Sequence, residues 1–434
     1  MVIKRLSRID ATLFFSLLAV SCGSSSGSNA NIHSGGMAAT GGGAANSGGG
    51  GSSGQGTAGS NTTVGGSTMF DADAGTGKCD PVTPKPSTNT GIKVGEWTNL
   101  GPTGVANADY GVIGVTFDNA DRNVLYATVQ DNGVWKSKDG GATWRQTGDP
   151  THKYDFTDST SYLEVPFEVA VDPCDPNHLY ATNGVRGSTM GFWVSQDAGE
   201  SWHRTPGFAN ILKTTTADVT DIAVDPNDFR HILVSSHSPW MGKPNAGILE
   251  SKDAGNNWTA HPGVATWPPG TPGVEFIDPV AGIWLVMTDG NGFWRTKDSG
   301  ANWTQVSTHE GIHGLTTLFR ASTGTLYSGG ANYPMRSTDE GVTWTPLMNG
   351  LPNAYYYAVA GDGTTLYTMK SLNNGAMPFS SYSVSPETDG MTWTLQDGGK
   401  QTFSDGPIVL KYDAVSHIMY SANWKAGIQA FKVQ

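Results

Sequence analysis

SKDGGATW, Ser137–Trp144, is the stretch on which the reading of the fold turns. Near-copies follow as SQDAGESW (Ser195–Trp202), SKDAGNNW (Ser251–Trp258), TKDSGANW (Thr296–Trp303) and STDEGVTW (Ser337–Trp344). Their aspartates, Asp139, Asp197, Asp253, Asp298 and Asp339, lie 58, 56, 45 and 41 residues apart. Before each copy the chain repeats one pattern. An apolar run such as Val112–Val115 leads to a polar turn, then to a second run such as Val124–Ala127. A third run, Gly133–Lys136 in the first case, enters the octapeptide, and a fourth begins at its Trp. Four short strands with turn signals, repeated every 40 to 60 residues, predict the blades of an all-β propeller.

Counting octapeptides counts blades. Five are intact, and a sixth, Thr388–Trp393, has its Asp displaced by one place. A seventh blade shows three strands near Ile408, Ile418 and Ile428 before the sequence given stops. Its missing strand is expected at the other end, where Glu96–Leu100 resembles the strand after an octapeptide. Trp97, Trp144, Trp202, Trp258, Trp303, Trp344 and Trp393 then hold one equivalent position. The expectation is a single seven-bladed propeller over 92–434, its last blade closed by an N-terminal strand. A six-bladed ring is the alternative count.

Within the octapeptide each residue type has a local backbone role. The hydroxyl and the Asp carboxylate accept from nearby N–H groups, the Gly permits an angle that a side chain resists, and the Trp buries a large face. A metal at each Asp is the competing reading. One carboxylate per turn supplies too few oxygens for calcium, which takes six to eight. The five aspartates are therefore read as structural, and no metal or other cofactor is expected.

S/T-x-D-x-G-x-x-W is the pattern of the Asp-box, or bacterial neuraminidase repeat, and residues 97–432 resemble that superfamily. The resemblance implies the propeller but not one activity, because it takes in sialidases, xyloglucan-cleaving endoglucanases, sortilin-type receptors and a photosystem assembly factor. Resembling sialidases hold a substrate carboxylate with three arginines and carry Arg-Ile-Pro. That tripeptide is absent, and only Arg186 falls in a predicted loop of the working face, so a sialidase is not expected. Val171–Ala181 and Ser137–Trp144 look like xyloglucanase blades. Those enzymes set two propellers across a cleft with an acid and a base aspartate, whereas this chain has room for one propeller.

The start of the chain is of another kind. Lys4, Arg5 and Arg8 precede an apolar run from Ala11 to Val20, too short to span a bilayer, and Cys22 follows. Residues 1–22 resemble a lipoprotein signal whose Cys22 becomes lipidated. With Gly23 next, the expected address is the bacterial outer membrane or cell surface. Residues 23–91 are dominated by Gly, Ser, Ala, Asn and Thr and are expected to form a flexible tether. Without the leader, which carries three basic residues and Asp10, the net charge moves from −12 to −14. An acidic chain without basic runs argues against nucleic acid or anionic lipid as partner. Cys79 and Cys174 remain as a possible disulfide in an oxidising envelope. A monomer is expected, touching the membrane only through its lipid anchor.

If the octapeptide turns mark one face, function belongs on the other, where links between blades meet the loops joining second and third strands. Asp109, Glu164, Asp218 and Asp405 are the candidate acids and bases there, and Tyr110, Arg186, Trp240, Tyr333, Tyr355 and Trp424 the candidate ligand contacts. Carboxylates beside aromatic platforms suit sugars, and a suitably spaced pair would serve glycoside hydrolysis. His309–His313 spells H-E-x-x-H, but that zinc chemistry needs a helix, and here Gly sits in its centre just before a strand. Two functions remain: binding of an extracellular polysaccharide or protein partner, which is preferred, or glycoside hydrolysis. No P-loop, dinucleotide fingerprint or Ser-His-Asp spacing is present.

Overall fold

The computed structural model describes residues 83–103, 105, 111–148, 159–268, 270, 273–309, 311, 317–371, 380–403, 405–423 and 426–433. They form seven antiparallel sheets, one per blade. In blade 1 the order from axis to rim is Val112–Phe117, Leu125–Val129, Gly133–Ser137 and Arg145–Gln146. Blades 2 to 6 begin at the inner strands Pro166–Val171, Val219–Asp225, Gly273–Asp278, Leu318–Arg320 and Val359–Gly361. Blade 7 contains Pro407–Asp413, Ile418–Asn423 and Gly427–Lys432, and its outer strand is Trp97–Gly101. The seven-bladed count and the N-terminal closing strand are thus both observed. Two elements escaped the repeat pattern: Ser159–Thr160 adds a fifth strand to blade 2, and Pro206–Ile211 forms a short helix capped by Thr205.

Second strands are buried along their whole length, as in Leu125–Val129, Leu179–Asn183 and Ile418–Asn423. Neighbouring blades cover both faces of each sheet, so these segments read as near-continuous apolar runs instead of alternating. Outer strands such as Thr304–Ser307 have no such cover and stay partly exposed. Trp193 and Trp284 are fully buried between blades.

The octapeptide folds the same way five times. In the first copy the Ser137 hydroxyl donates to Asp139 Oδ1 (2.8 Å) and accepts the Gly141 N–H (2.8 Å). Asp139 then accepts the Thr143 N–H (2.8 Å) and the Thr143 hydroxyl (2.5 Å). Thr143 shares this role with Ser201, Asn257, Asn302 and Thr343, each bonding its own Asp. Position seven is thus a fixed part of the turn, and the recurring Thr, Ser or Asn was visible in the sequence. Burial alone would raise the Asp139 pKa, but its bonds from Thr143 and Ser137 outweigh that and hold it low. These carboxylates are occupied by their own turns.

The chain reaches its first strand across the octapeptide face. Lys85 N–H donates to Ala120 O (2.9 Å) and Lys85 O accepts Arg122 N–H (2.9 Å). Ser87 N–H bonds Ser416 Oγ (2.8 Å) and Asn89 Nδ2 bonds Gly140 O (3.0 Å). Residues 83–91, expected as the end of a flexible tether, are therefore fixed across the seam of blades 1 and 7. Cys174, in the turn between the first two strands of blade 2, is disulfide-bonded. The other two cysteines, Cys22 and Cys79, lie outside the described residues.

Candidate functional site

On the face opposite the octapeptides, the loop 184–189 of blade 2 is held from three sides. Glu164, in the link entering the same blade, accepts the Ser188 and Thr189 N–H groups and the Ser188 hydroxyl, the last at 3.1 Å. Asp218, at the entry to blade 3, accepts the Val185 N–H (2.6 Å) and also binds His237 Nδ1 (3.0 Å) and the Ser238 hydroxyl. Arg186 forms a two-pronged pair with Asp131 of blade 1, at 2.7 and 3.2 Å. Tyr162 donates its hydroxyl to Asp131 O (3.1 Å). Burial of Asp218 would raise its pKa, but the bonds from His237 and Ser238 win, and it is held below the usual carboxylate range. Three residues expected in a ligand site thus converge on one loop and fix its shape, with the Arg186 side chain still 40% exposed.

A second group lies across the ring. Tyr357, 2% exposed, has its pKa raised by burial first and then by the charges of Tyr355, Asp289 and Asp405. Tyr355 and Asp405 belong to the links entering blades 6 and 7, and Asp289 to the loop after the second strand of blade 4. Tyr355 and Asp405 are half-buried. Groups from the links or loops of three blades, Tyr355, Asp289 and Asp405, therefore act electrostatically on one buried ring. Tyr333 is half-buried and packs against the cluster containing Tyr356.

Trp240 does not stand on this rim. It is 4% exposed and gives its indole N–H to Ser236 Oγ (2.8 Å), beside Gly247, whose missing Cβ makes room for the ring. The loop it occupies folds back over blade 3, so the indole fills the core. Asp109, Tyr110 and Trp424 lie outside the described residues. Of His309–His313, the described Gly311 pairs with Asp289 in a β-bridge, the extended backbone expected of a link.

The axis itself holds three further acids. Glu168, Asp221 and Glu275 are each the third residue of an inner strand. A cavity of about 310 Å³ runs along the axis, lined by Glu168, Glu275, Thr317 and Lys411. It continues to Asn119 and Phe229, at the turns of the octapeptide face. Inner-strand apolar residues surround these acids, and strand periodicity gives no reason for a charge there.

The ring defines the class: a seven-bladed β-propeller. No protein-family model matches the sequence. The chain is similar to the xyloglucanase of Hypocrea jecorina, 24% identical over 317 residues, which cover 58% of this chain and 35% of that one. Together with two further xyloglucanase matches, the chain spans only 23% to 35% of its relatives' length. Among solved structures, an ancestral GH74 enzyme superposes with a TM-score of 0.52 at 14% identity, over 78% of this chain and 48% of that one. YCF48 bound to D1 peptide gives 0.51 at 14% identity, over 80% and 99%. These likenesses show a shared fold.

Proposed function

We propose that this is an Asp-box propeller, anchored through a lipidated Cys22 at the cell surface, that binds an extracellular polysaccharide on the face opposite its octapeptides. The observation that carries the reading is that Tyr355, Asp289 and Asp405, from links or loops of three blades, all act on the one buried Tyr357 ring. Ring faces stack on the C–H faces of sugars, while carboxylates accept from their hydroxyls. The similarity to xyloglucanases points to a β-glucan as ligand. Binding is preferred to turnover because Glu164 and Asp218 are already engaged in holding a loop.

Hydrolysis is the second reading, supported by the activity named for the curated relatives. Calorimetric titration with xyloglucan oligosaccharides, beside a reducing-sugar assay, separates the two. Binding without turnover, weakened about tenfold or more in Tyr355→Ala, is the expected result. New reducing ends, lost in Asp405→Asn with the fold intact, would establish hydrolysis. Failure to bind any polysaccharide would leave a protein ligand as the partner and remove the glycan reading.

A further inference from the structure

Glu168, Asp221 and Glu275 stand on the inner strands of three consecutive blades, each the third residue of its strand. Each reaches forward to the next blade. Glu168 accepts the Ile222 N–H (3.2 Å), Asp221 the Val274 N–H (2.8 Å) and Glu275 the Leu318 N–H (3.4 Å). Blades 2, 3, 4 and 5 are thereby stapled in series around the axis. Asp221 also faces the Glu168 carboxyl, whose proximity adds to burial in raising its pKa, and two carboxyl groups share a hydrogen bond only when one keeps its proton.

The charges facing this group are few. Lys411 on the inner strand of blade 7 is 3.9 Å from Glu168. The cavity lining from blade 1 contributes Thr116, Phe117 and Asn119, from blade 5 Thr317, Leu318 and Phe319, and from blade 6 Val359, Ala360 and Gly361. Tyr412 lies farther toward the octapeptide face. Among the described residues lining the cavity, Lys411 is the one cation beside these three acids. Full ionisation would leave net negative charge in a cavity walled by apolar inner-strand residues, where repulsion is screened less than at an open surface.

We propose that Glu168, Asp221 and Glu275 form a proton-holding staple that binds blades 2 to 5 firmly while it keeps its protons and loosens them when it gives them up, so that the axis of the propeller is an alkaline-sensitive switch of rigidity. The titration follows from the surroundings. Burial, and after it the charge of Glu168, push Glu275 up to about 8. Burial, then Glu168 and Glu275, raise Asp221 well above the usual carboxylate range. The folded chain then holds a proton that the unfolded chain has released. Stability falls as pH rises from the ordinary carboxylate range to the folded pKa, and levels off above it.

Urea unfolding of the whole chain and of Glu275→Gln, from pH 5 to 9, tests the proposal. Gln keeps the acceptor for Leu318 and cannot ionise. One retained proton corresponds to about a tenfold fall in the folding equilibrium constant per pH unit. The wild type should therefore lose that much relative to the variant between pH 5 and 8. His231, held by Asp225 and Glu250 and raised to about 9 against its burial, adds a slope common to both proteins, so their difference is the reading. Amide exchange at Ile222, Val274 and Leu318 should quicken selectively above pH 8. Parallel pH curves, or a variant weaker by the same factor at every pH, would overturn the switch. Should Glu275→Gln not fold, carboxyl carbon NMR of the wild type decides, and an ordinary Glu275 titration would overturn the proposal. None of these readouts depends on a glycan ligand.

Discussion

Gly141, Gly199, Gly255, Gly300 and Gly341, the fifth residues of the octapeptides, have φ between +78° and +88°. The residue before each is also left-handed, although in four copies it carries a side chain: Ala198, Ala254, Ser299 or Glu340. Two successive left-handed residues turn the chain tightly enough for one hydroxyl and one carboxylate to reach the turn's backbone. The glycines are needed for space as well as angle. A Cβ on Gly255 would stand 2.9 Å from the Phe192 ring. Gly255→Ala is therefore expected to cost about 1–3 kcal/mol, read as a lower urea midpoint. Gly242, with φ +69° and open space around it, is the control that isolates the backbone part and should cost less. The residue-level roles of Ser, Asp, Gly and Trp were legible because they are local. The Thr143 class was legible too, as a recurrence at position seven.

At the scale of the element, closure of the ring depends on Trp97–Gly101. This strand pairs with Gly427–Lys432, with Trp97 opposite Phe431. Trp97 is 5% exposed, bonds Ser380 O (3.1 Å), and packs edge-on to Phe403 and Tyr382. Without it, Gly427–Lys432 becomes an open edge that invites pairing with other chains. Trp97→Ala should cost about 3–5 kcal/mol and produce oligomers in size-exclusion chromatography that the wild type lacks. A monomeric variant of unchanged thermal midpoint would count against this account. The strand was predictable from a single Trp in register. The fifth strand of blade 2 was not, since Ser159–Thr160 has no apolar pattern and is placed by pairing with Trp202 and His203.

At the scale of the molecule, blades 1 and 7 are joined by more than the shared sheet. Arg122, 5% exposed, pairs with the fully buried Asp413 at 2.9 Å and lies over the Phe117 ring at 4.7 Å. Breaking one partner leaves a buried charge, so Arg122→Ala should cost about 3–5 kcal/mol. Arg122→Met combined with Asp413→Leu should recover most of that loss, measured by denaturant unfolding. A double variant no better than the single one would show that the pair has a further role. Nothing local marks Arg122 as a clasp. Its turn resembles the one at Arg230, which pairs with its neighbour Asp228.

What the sequence determined by itself was the repeat, and through it the strand order, the blade number and the face on which the octapeptides lie. Those follow from hydrogen bonds within eight residues and from burial patterns along single strands. Only the tertiary structure decided which polar side chains meet. It set Glu164, Asp218 and Arg186 around one loop, sent Trp240 into the core, and brought Glu168, Asp221 and Glu275 to the axis from blades more than 50 residues apart in the chain. The physical reason is that a carboxylate's partners and its protonation depend on which groups closure of the ring brings within a few ångströms, and strand periodicity carries no information about that.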